Sequence, residues 1–442
     1  MSKKVALHTL GCKLNFSETS TIGGDFLSRG FEIVEFKESA DIYVFNTCTV
    51  TETAEKECRQ LVRRALRQNP EAYVIVTGCY AQLRPDEIAS IDGVDAVLGS
   101  KEKFKLFSLI DSFEKKEVSC IYVSPTNELN DFGPAHSTDA DSRTRAYFKI
   151  QDGCDYNCSF CTIPLARGGS RSMELEKLVT DFRSLIQHGY KEIILTGVNV
   201  GDYGKSANNS FHDLLLRLVQ VEGEFRLRVS SIEPNLLTDE IIELTASNEK
   251  MSKHFHIPLQ SGSPEILKRM QRRYKVEDYR KLIDKLNSRI PGVGIGVDVI
   301  VGFPGETEEE FLQTYNFLRE LEISYLHVFT YSERPDTKSM TMQNQINLAE
   351  RRKRNKMLRI LSVKKRHNFY EKMLGCEVEV LFESGVNGGF IKGFSSNYIR
   401  VVHPFEEKLI NKLCRVQLIG IKDELCVGKI LVIKNSVDLL AS

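Results

Sequence analysis

The chain lacks any apolar run near the roughly 18 residues needed to span a bilayer, so no membrane segment is expected. It lacks a surplus of either charge. Its 60 Lys and Arg meet 60 Asp and Glu, so total charge announces no nucleic-acid partner and only a local basic patch could bind one. It lacks an internal repeat and a long low-complexity segment, which leaves out solenoids and disordered tracts. Behind Met-Ser-Lys-Lys there is no long apolar stretch and no small-residue cleavage site, so the start reads as untargeted and cytoplasmic. With no secretion signal, an odd total of 11 cysteines argues against a disulfide framework and for reduced, metal-binding thiols. No dimerisation signal is evident, and a monomer is the expectation. What remains is ordinary soluble composition, 41% hydrophobic and 27% charged. At 442 residues the chain is too long for one core and should form two or three domains.

Residues 1–140 alternate strands and helices. Val5–Thr9, Asp41–Thr47 and Ala72–Thr77 are short, rich in β-branched or aromatic residues and closed by Gly, Asn or Thr, with a helical pattern at Thr53–Gln68. That is a parallel α/β domain. A polar, turn-rich linker covers 124–145. Alternation then restarts. Strands are expected at Tyr147–Gln151, Glu192–Thr196, Arg226–Ser230, His254–Pro258, Gly296–Val301 and Tyr325–Tyr331. Helical patterns lie between them at Leu175–His188, Phe211–Val221, Thr238–Ser247, Val276–Arg289 and Glu308–Leu321. Six βα units make most, not all, of a TIM barrel.

A basic helix over 349–367 has apolar Met357, Leu358, Leu361 and Val363. It is either a solvated surface helix or a strap that contacts phosphates. From Cys376 onward, short strands and turns predict a small β-barrel whose basic and acidic residues balance. The expected domains are therefore 1–140, 141–370 (partial barrel plus basic helix) and 371–442.

Cys154, Cys158 and Cys161 lie just past the first strand of the second domain. Thiolates suit iron–sulfur clusters and zinc. Structural zinc wants four ligands, and no fourth Cys or His lies close by. Three thiolates on a four-iron cube leave one iron open to a small cofactor; zinc is the alternative. A second trio is Cys12, Cys48 and Cys79, each directly after one of the first three strands. Ligand sites in open α/β sheets lie beyond such strand ends, so these thiols should converge. The alternative is scattered buried cysteines. Cys58, Cys120, Cys376, Cys414 and Cys426 lack such placement and read as ordinary packing or surface thiols.

The spacing Cys-x3-Cys-x2-Cys, with Phe160 before the last Cys, resembles the radical S-adenosylmethionine signature. Together with the second trio, the partial barrel and the terminal β-module, nearly the whole chain resembles the radical S-adenosylmethionine methylthiotransferase family. The resemblance implies two 4Fe-4S clusters, S-adenosylmethionine, a reducing electron donor and a C-terminal TRAM module that binds RNA. In that superfamily the reduced cluster cleaves S-adenosylmethionine to a radical that abstracts hydrogen from substrate. The implied cofactor contacts are Gly197, Val198 and Asn199 after the second strand, Ser230, Ser231 and Glu233 after the third, and Gln260 after the fourth. Val299 and Val301 on the fifth are implied beside adenine. A loop polar or a core valine is the bland reading of each.

Thr-Leu-Gly-Cys-Lys-Leu-Asn at 9–15, Asn-Thr-Cys-Thr-Val-Thr at 46–51 and Ile-Pro-Leu-Ala-Arg-Gly at 163–168 look like the branch that acts on threonylcarbamoyladenosine beside the anticodon of tRNA. The alternatives are isopentenyladenosine and a ribosomal-protein side chain. A threonyl carboxylate is best bound by a bidentate arginine, and Arg145, Arg167 and Arg171 are the candidates. A surface ion pair is the alternative for Arg145.

Overall fold

A computed structural model describes residues 2–49, 52–136, 144–205 and 209–434. Part of the expected linker, 137–143, and Val50-Thr51 of the second motif lie outside the described residues.

The first layer is one parallel sheet of β1 (Lys4–Thr9), β2 (Glu32–Val34), β3 (Ile42–Thr47), β4 (Tyr73–Gly78), β5 (Ala96–Leu98) and β6 (Cys120–Tyr122). Its order is β2-β1-β3-β4-β5-β6. β3 and β4 are buried at every position. Tyr43, Phe45, Val74 and Val76 enter the core on one face; Ile42, Val44, Tyr73 and Ile75 enter the core on the other. β2, β5 and β6 have three residues each, too few for a periodic signal. The helix Lys13–Ser28 carries no clear amphipathic pattern either, because Asn15, Ser17, Glu18, Thr19 and Ser20 are all buried.

The second layer has six parallel strands: β7 (Arg145–Lys149), then, past the short antiparallel ribbon β8 (Gln151–Asp152) and β9 (Arg171–Ser172), β10 (Glu192–Thr196), β11 (Arg226–Val229), β12 (His254–His256), β13 (Gly294–Val301) and β14 (Tyr325–Thr330). They pair as β7-β10-β11 and β12-β13-β14. Parallel bridges Leu227–Met251 and Ser231–His256 join the two halves into an open arc. This is the expected six-stranded partial barrel, with a core of Leu, Ile and Val between strands and helices.

The basic helix runs from Leu348 to Lys372 and packs on β14. Leu358 and Leu361 are buried and Met357 is half-buried, while Val363 is exposed. Two of its arginines turn inward: Arg351 pairs with Glu333 at 2.6 Å and Arg354 with Glu306 at 2.7 Å. Arg352, Lys353, Lys356, Arg359 and Lys364 stay exposed.

The last module is a closed barrel, β15-β16-β17-β19-β18, of β15 (Glu377–Asn387), β16 (Phe390–Ser395), β17 (Arg400–Pro404), β18 (Leu413–Lys422) and β19 (Leu425–Ile433). Closure leaves no unpaired edge. It docks on the amino ends of the barrel strands. Buried Arg226 and Arg228 share Glu192 and donate to the carbonyls of Glu379, Phe394, Ser395 and Ser396 at 3.0–3.2 Å. Among the described residues no helix is long and apolar enough to cross a membrane.

Candidate cluster and cofactor site

Gly153 begins the first cysteine loop with φ +71°, and a Cβ there would stand 2.0 Å from the carbonyl oxygen of Gly169. Only glycine tolerates both that conformation and that approach. Gln151 fastens the turn by donating to Gly153 O at 2.7 Å and accepting the Asn199 amide at 2.9 Å. The sulfurs already meet donors. The Tyr156 amide faces Cys154 Sγ at 3.4 Å, the Ile163 amide faces Cys161 Sγ at 3.4 Å, and Arg272 Nη1 donates to Cys158 Sγ at 3.1 Å. Burial pushes the Cys154 thiol up to about 11 and the Cys161 thiol up to about 12. Left free, these would be inert thiols; a bound cation reverses that.

The second trio converges as three strand ends should. Cys12 precedes the helix Lys13–Ser28, Cys48 follows β3, and Cys79 opens the helix Cys79–Leu83. A Cβ on Gly11 would sit 3.1 Å from Cys48 Sγ. Asn15 ties the loops together by donating to Leu10 O at 3.1 Å and Thr47 O at 2.9 Å. Burial raises the Cys79 thiol; Arg167 opposes this, and Cys12 adds to it. Among the described residues, the group of three metal-capable side chains gathered within 4.8 Å is His256, Asp298 and His327. Neither cysteine trio is that tight. Sulfurs around one tetrahedral zinc stand about 3.8 Å apart, given Zn–S bonds near 2.3 Å. Soft thiolates in threes, with a guanidinium donating to a sulfur in each trio, suit an iron–sulfur cube. Cys58, Cys414 and Cys426 are buried in domain cores, as expected.

The expected cofactor residues gather at the carboxyl ends of the barrel strands. Phe160, Cys161 and Gln260 line one cavity of about 250 Å³. Gln260 holds φ +68° there, with a buried side-chain oxygen that has no partner. Gly197 lies against Gln151, with Val198 beside it, and Asn199 donates to Asp202 at 2.9 Å. Ser230 is buried, Ser231 Oγ meets His256 Nδ1 at 2.9 Å, and Glu233 pairs with Arg272. Val299 and Val301 depart from the expectation. Their side chains are fully buried in the layer between strands and helices, and Asp298 and Ile300 face the cavity instead. Strand alternation decides this.

The arginines also depart from the expectation. Arg145 sits at the amino end of β7, away from the cysteine loop, and pairs with Glu383 at 2.6 Å. Arg171 bonds Asp152 at 3.1 Å and the carbonyls of Asp131, Arg167 and Gly169. Arg167 is wholly buried and donates to Asn15 at 2.7 Å, to Glu18 and Asp152 at 3.0 Å, and from Nε to Cys79 Sγ at 3.2 Å. All three are therefore engaged by the protein's own carboxylates. Glu18 and Asp152 also take Lys103 at 2.5 Å and Lys149 at 3.2 and 2.7 Å. This network joins the first sheet to the barrel. Sequence reading missed it, along with Arg272 and the His256–Asp298–His327 group. Buried lysines in strands and helices look like surface residues until their partners are known.

Two family models match: the radical SAM superfamily over residues 148–318, and uncharacterized protein family UPF0004 over residues 4–99. A threonylcarbamoyladenosine tRNA methylthiotransferase MtaB of Bacillus subtilis is 42% identical over 94% of this chain and 93% of that protein. One of Aquifex aeolicus is 39% identical over 86% and 92%. A tRNA-2-methylthio-N(6)-dimethylallyladenosine synthase of Fusobacterium nucleatum is 38% identical over 86% and 88%. In fold, the chain resembles the radical S-adenosylmethionine methyltransferase TsrM of Kitasatospora setae, with TM-score 0.56 and 18% identity over 77% of each chain. With a cysteine trio on each of two parallel α/β layers and identity of this extent along nearly its whole length, the chain belongs to the radical S-adenosylmethionine methylthiotransferase family.

Proposed function

We propose that the protein adds a methylthio group to carbon 2 of threonylcarbamoyladenosine next to the anticodon of tRNA. It would use S-adenosylmethionine and two 4Fe-4S clusters, one held by Cys154, Cys158 and Cys161 and one by Cys12, Cys48 and Cys79. The observation that carries this reading is the pair of cysteine trios. Each lies at the carboxyl end of its own parallel sheet, and Arg167 reaches from the barrel to Cys79. The several relatives named for threonylcarbamoyladenosine support the substrate.

Bound there, the clusters and S-adenosylmethionine supply one-electron chemistry that activates a C–H bond and a site that carries sulfur. The chain's residues do the rest. Arg272 and the Tyr156 and Ile163 amides hold the first trio's sulfurs. Glu233 and Tyr274 fix the Arg272 guanidinium. The largely apolar cavity lined by Phe160, Ile163, Ile300 and Phe329 offers an apolar wall beside that loop. An anticodon-loop base can be splayed into such a pocket at a cost of a few kcal/mol. The exposed bases of the helix Leu348–Lys372 are placed to meet phosphates. We place the protein in the cytoplasm, with an external reducing electron donor and one chain per active unit. Its units are an α/β domain to about residue 140, the barrel with its basic helix to about 370, and the closed barrel beyond.

The test is anaerobic reconstitution with S-adenosylmethionine, a reductant and tRNA carrying threonylcarbamoyladenosine, read by nucleoside mass spectrometry. A methylthio product that vanishes in Cys12→Ala and in Cys154→Ala supports the reading. Product on isopentenyladenosine tRNA instead overturns the substrate.

A further inference from the structure

The network between sheet and barrel holds more cations than anions. Lys103, Lys149, Arg167 and Arg171 converge on two carboxylates, those of Glu18 and Asp152. Every one of these side chains except Arg171 is at most 3% exposed, and Arg171 is 12% exposed. Surplus positive charge in a low-dielectric interior is costly unless an anion lies beside it. The group beside it is Cys79, whose sulfur receives Arg167 Nε at 3.2 Å. Arg167 sends its remaining donors to Glu18, Asp152 and Asn15, so its plane is fixed from three sides.

We propose that this network is the electrostatic counterweight of an iron–sulfur cluster on Cys12, Cys48 and Cys79, and that Arg167 sets the reduction potential of that cluster through its N–H···S bond to Cys79. The inference rests on the cluster assignment made above. Three thiolates give such a cube a net negative charge, and one-electron reduction makes it more negative. A buried cation donating to a coordinating sulfur favours the reduced form and raises the potential. Glu18, which bonds that cation, works in the opposite sense. Arg167 is thus a positioning and tuning residue for the second trio. Asp152, directly before Gly153-Cys154, links the same guanidinium to the first trio's loop.

The experiment uses the full chain carrying Cys154→Ala, Cys158→Ala and Cys161→Ala, so that only the second trio can load. After anaerobic reconstitution, an electron paramagnetic resonance redox titration reads the midpoint. Arg167→Gln is expected to lower the reduced-to-oxidised ratio at fixed potential at least tenfold, about 59 mV for one electron. Arg167→Lys recovers part of that. Glu18→Gln is expected to shift the midpoint upward, and Arg171→Gln, at the rim, downward by less than Arg167→Gln. Opposite signs for Glu18→Gln and the arginine variants support the proposal. If Arg167→Gln takes up no iron, Glu18→Gln and Arg171→Gln carry the test, since both leave the bond to Cys79 in place. A loaded cluster with unmoved midpoints, or with shifts all of one sign, overturns the tuning role alone. No cluster in the parent triple variant overturns the cluster assignment and the tuning with it.

Discussion

Replacing Gly153 by Ala tests whether the first cysteine loop is as tightly built as its geometry indicates. The residue holds φ +71°, and its added Cβ would lie 2.0 Å from Gly169 O. The conformation alone costs about 1–2 kcal/mol for an L-residue. The collision is the larger problem. Carbon and carbonyl oxygen approach to about 3.3 Å, so one backbone must move by more than about 1 Å. Both flanks resist. The Cys154 amide donates to Gly168 O at 3.0 Å, and Gln151 holds Gly153 O at 2.7 Å. A metal site tolerates errors of about 0.2 Å, so Cys154 would be carried out of ligating position. The expected result is a chain that folds but reconstitutes about four irons rather than about eight, with the missing set being the one that cleaves S-adenosylmethionine. Gly189→Ala is the control. Gly189 has φ +88°, and a Cβ added there meets no heavy atom within 4 Å, so it carries the conformational cost without the collision. It should cost about 1 kcal/mol in urea unfolding and no iron. Iron and sulfide analysis with S-adenosylmethionine cleavage decides; full iron content and cleavage in Gly153→Ala would refute the reasoning.

Other outcomes follow from the same structure. Cys48→Ala should halve the iron and abolish methylthio product while S-adenosylmethionine cleavage persists; loss of both clusters would show that the two sites do not load independently. Glu192→Gln should cost about 3–5 kcal/mol in denaturant unfolding and expose the last barrel to proteolysis, because it strands buried Arg226 and Arg228; a change under about 1 kcal/mol would show that the carbonyls suffice. Burial alone would raise the Glu192 carboxyl, but Arg226 and Arg228 hold it well below the usual carboxylate range. Its folded value lies below its unfolded value, so its contribution is complete above about pH 4.5 and is lost as pH falls toward the depressed value. Wild type should therefore lose more stability than Glu192→Gln on acidification, as midpoints in urea would report. Replacing Arg352, Lys356 and Arg359 together by Ala should weaken tRNA binding and flatten its logarithmic salt slope by about one unit for each phosphate no longer neutralised; an unchanged slope would leave that helix as a plain surface.

Much of the frame was legible in the chain. The six barrel strands lie within about two residues of their expected ends, because strands covered by helices on the outside must be apolar in continuous runs. The short edge strands of the first sheet were not legible, since three residues carry no period. The helix Lys13–Ser28 was hidden for a different reason. Its buried face is polar, built to hold the loops of Cys12 and Cys48 and the cations that reach Glu18.

By itself, the sequence determined the two cysteine trios, their positions after strands, the six βα units and the closed module at the end. These are local properties, set by periodicity, turn chemistry and spacing. Only the tertiary structure decided what the arginines do. Arg145, Arg167 and Arg171 look alike in sequence, yet one pins the last barrel, one reaches Cys79, and one closes the rim of a buried ion network. The tertiary structure also turned Asp298 and Ile300, rather than Val299 and Val301, toward the cavity beside Phe160. The partner of a charged side chain is set by the docking of segments far apart in the chain. Its Coulomb energy depends on burial, and burial exists only once the layers have closed on one another.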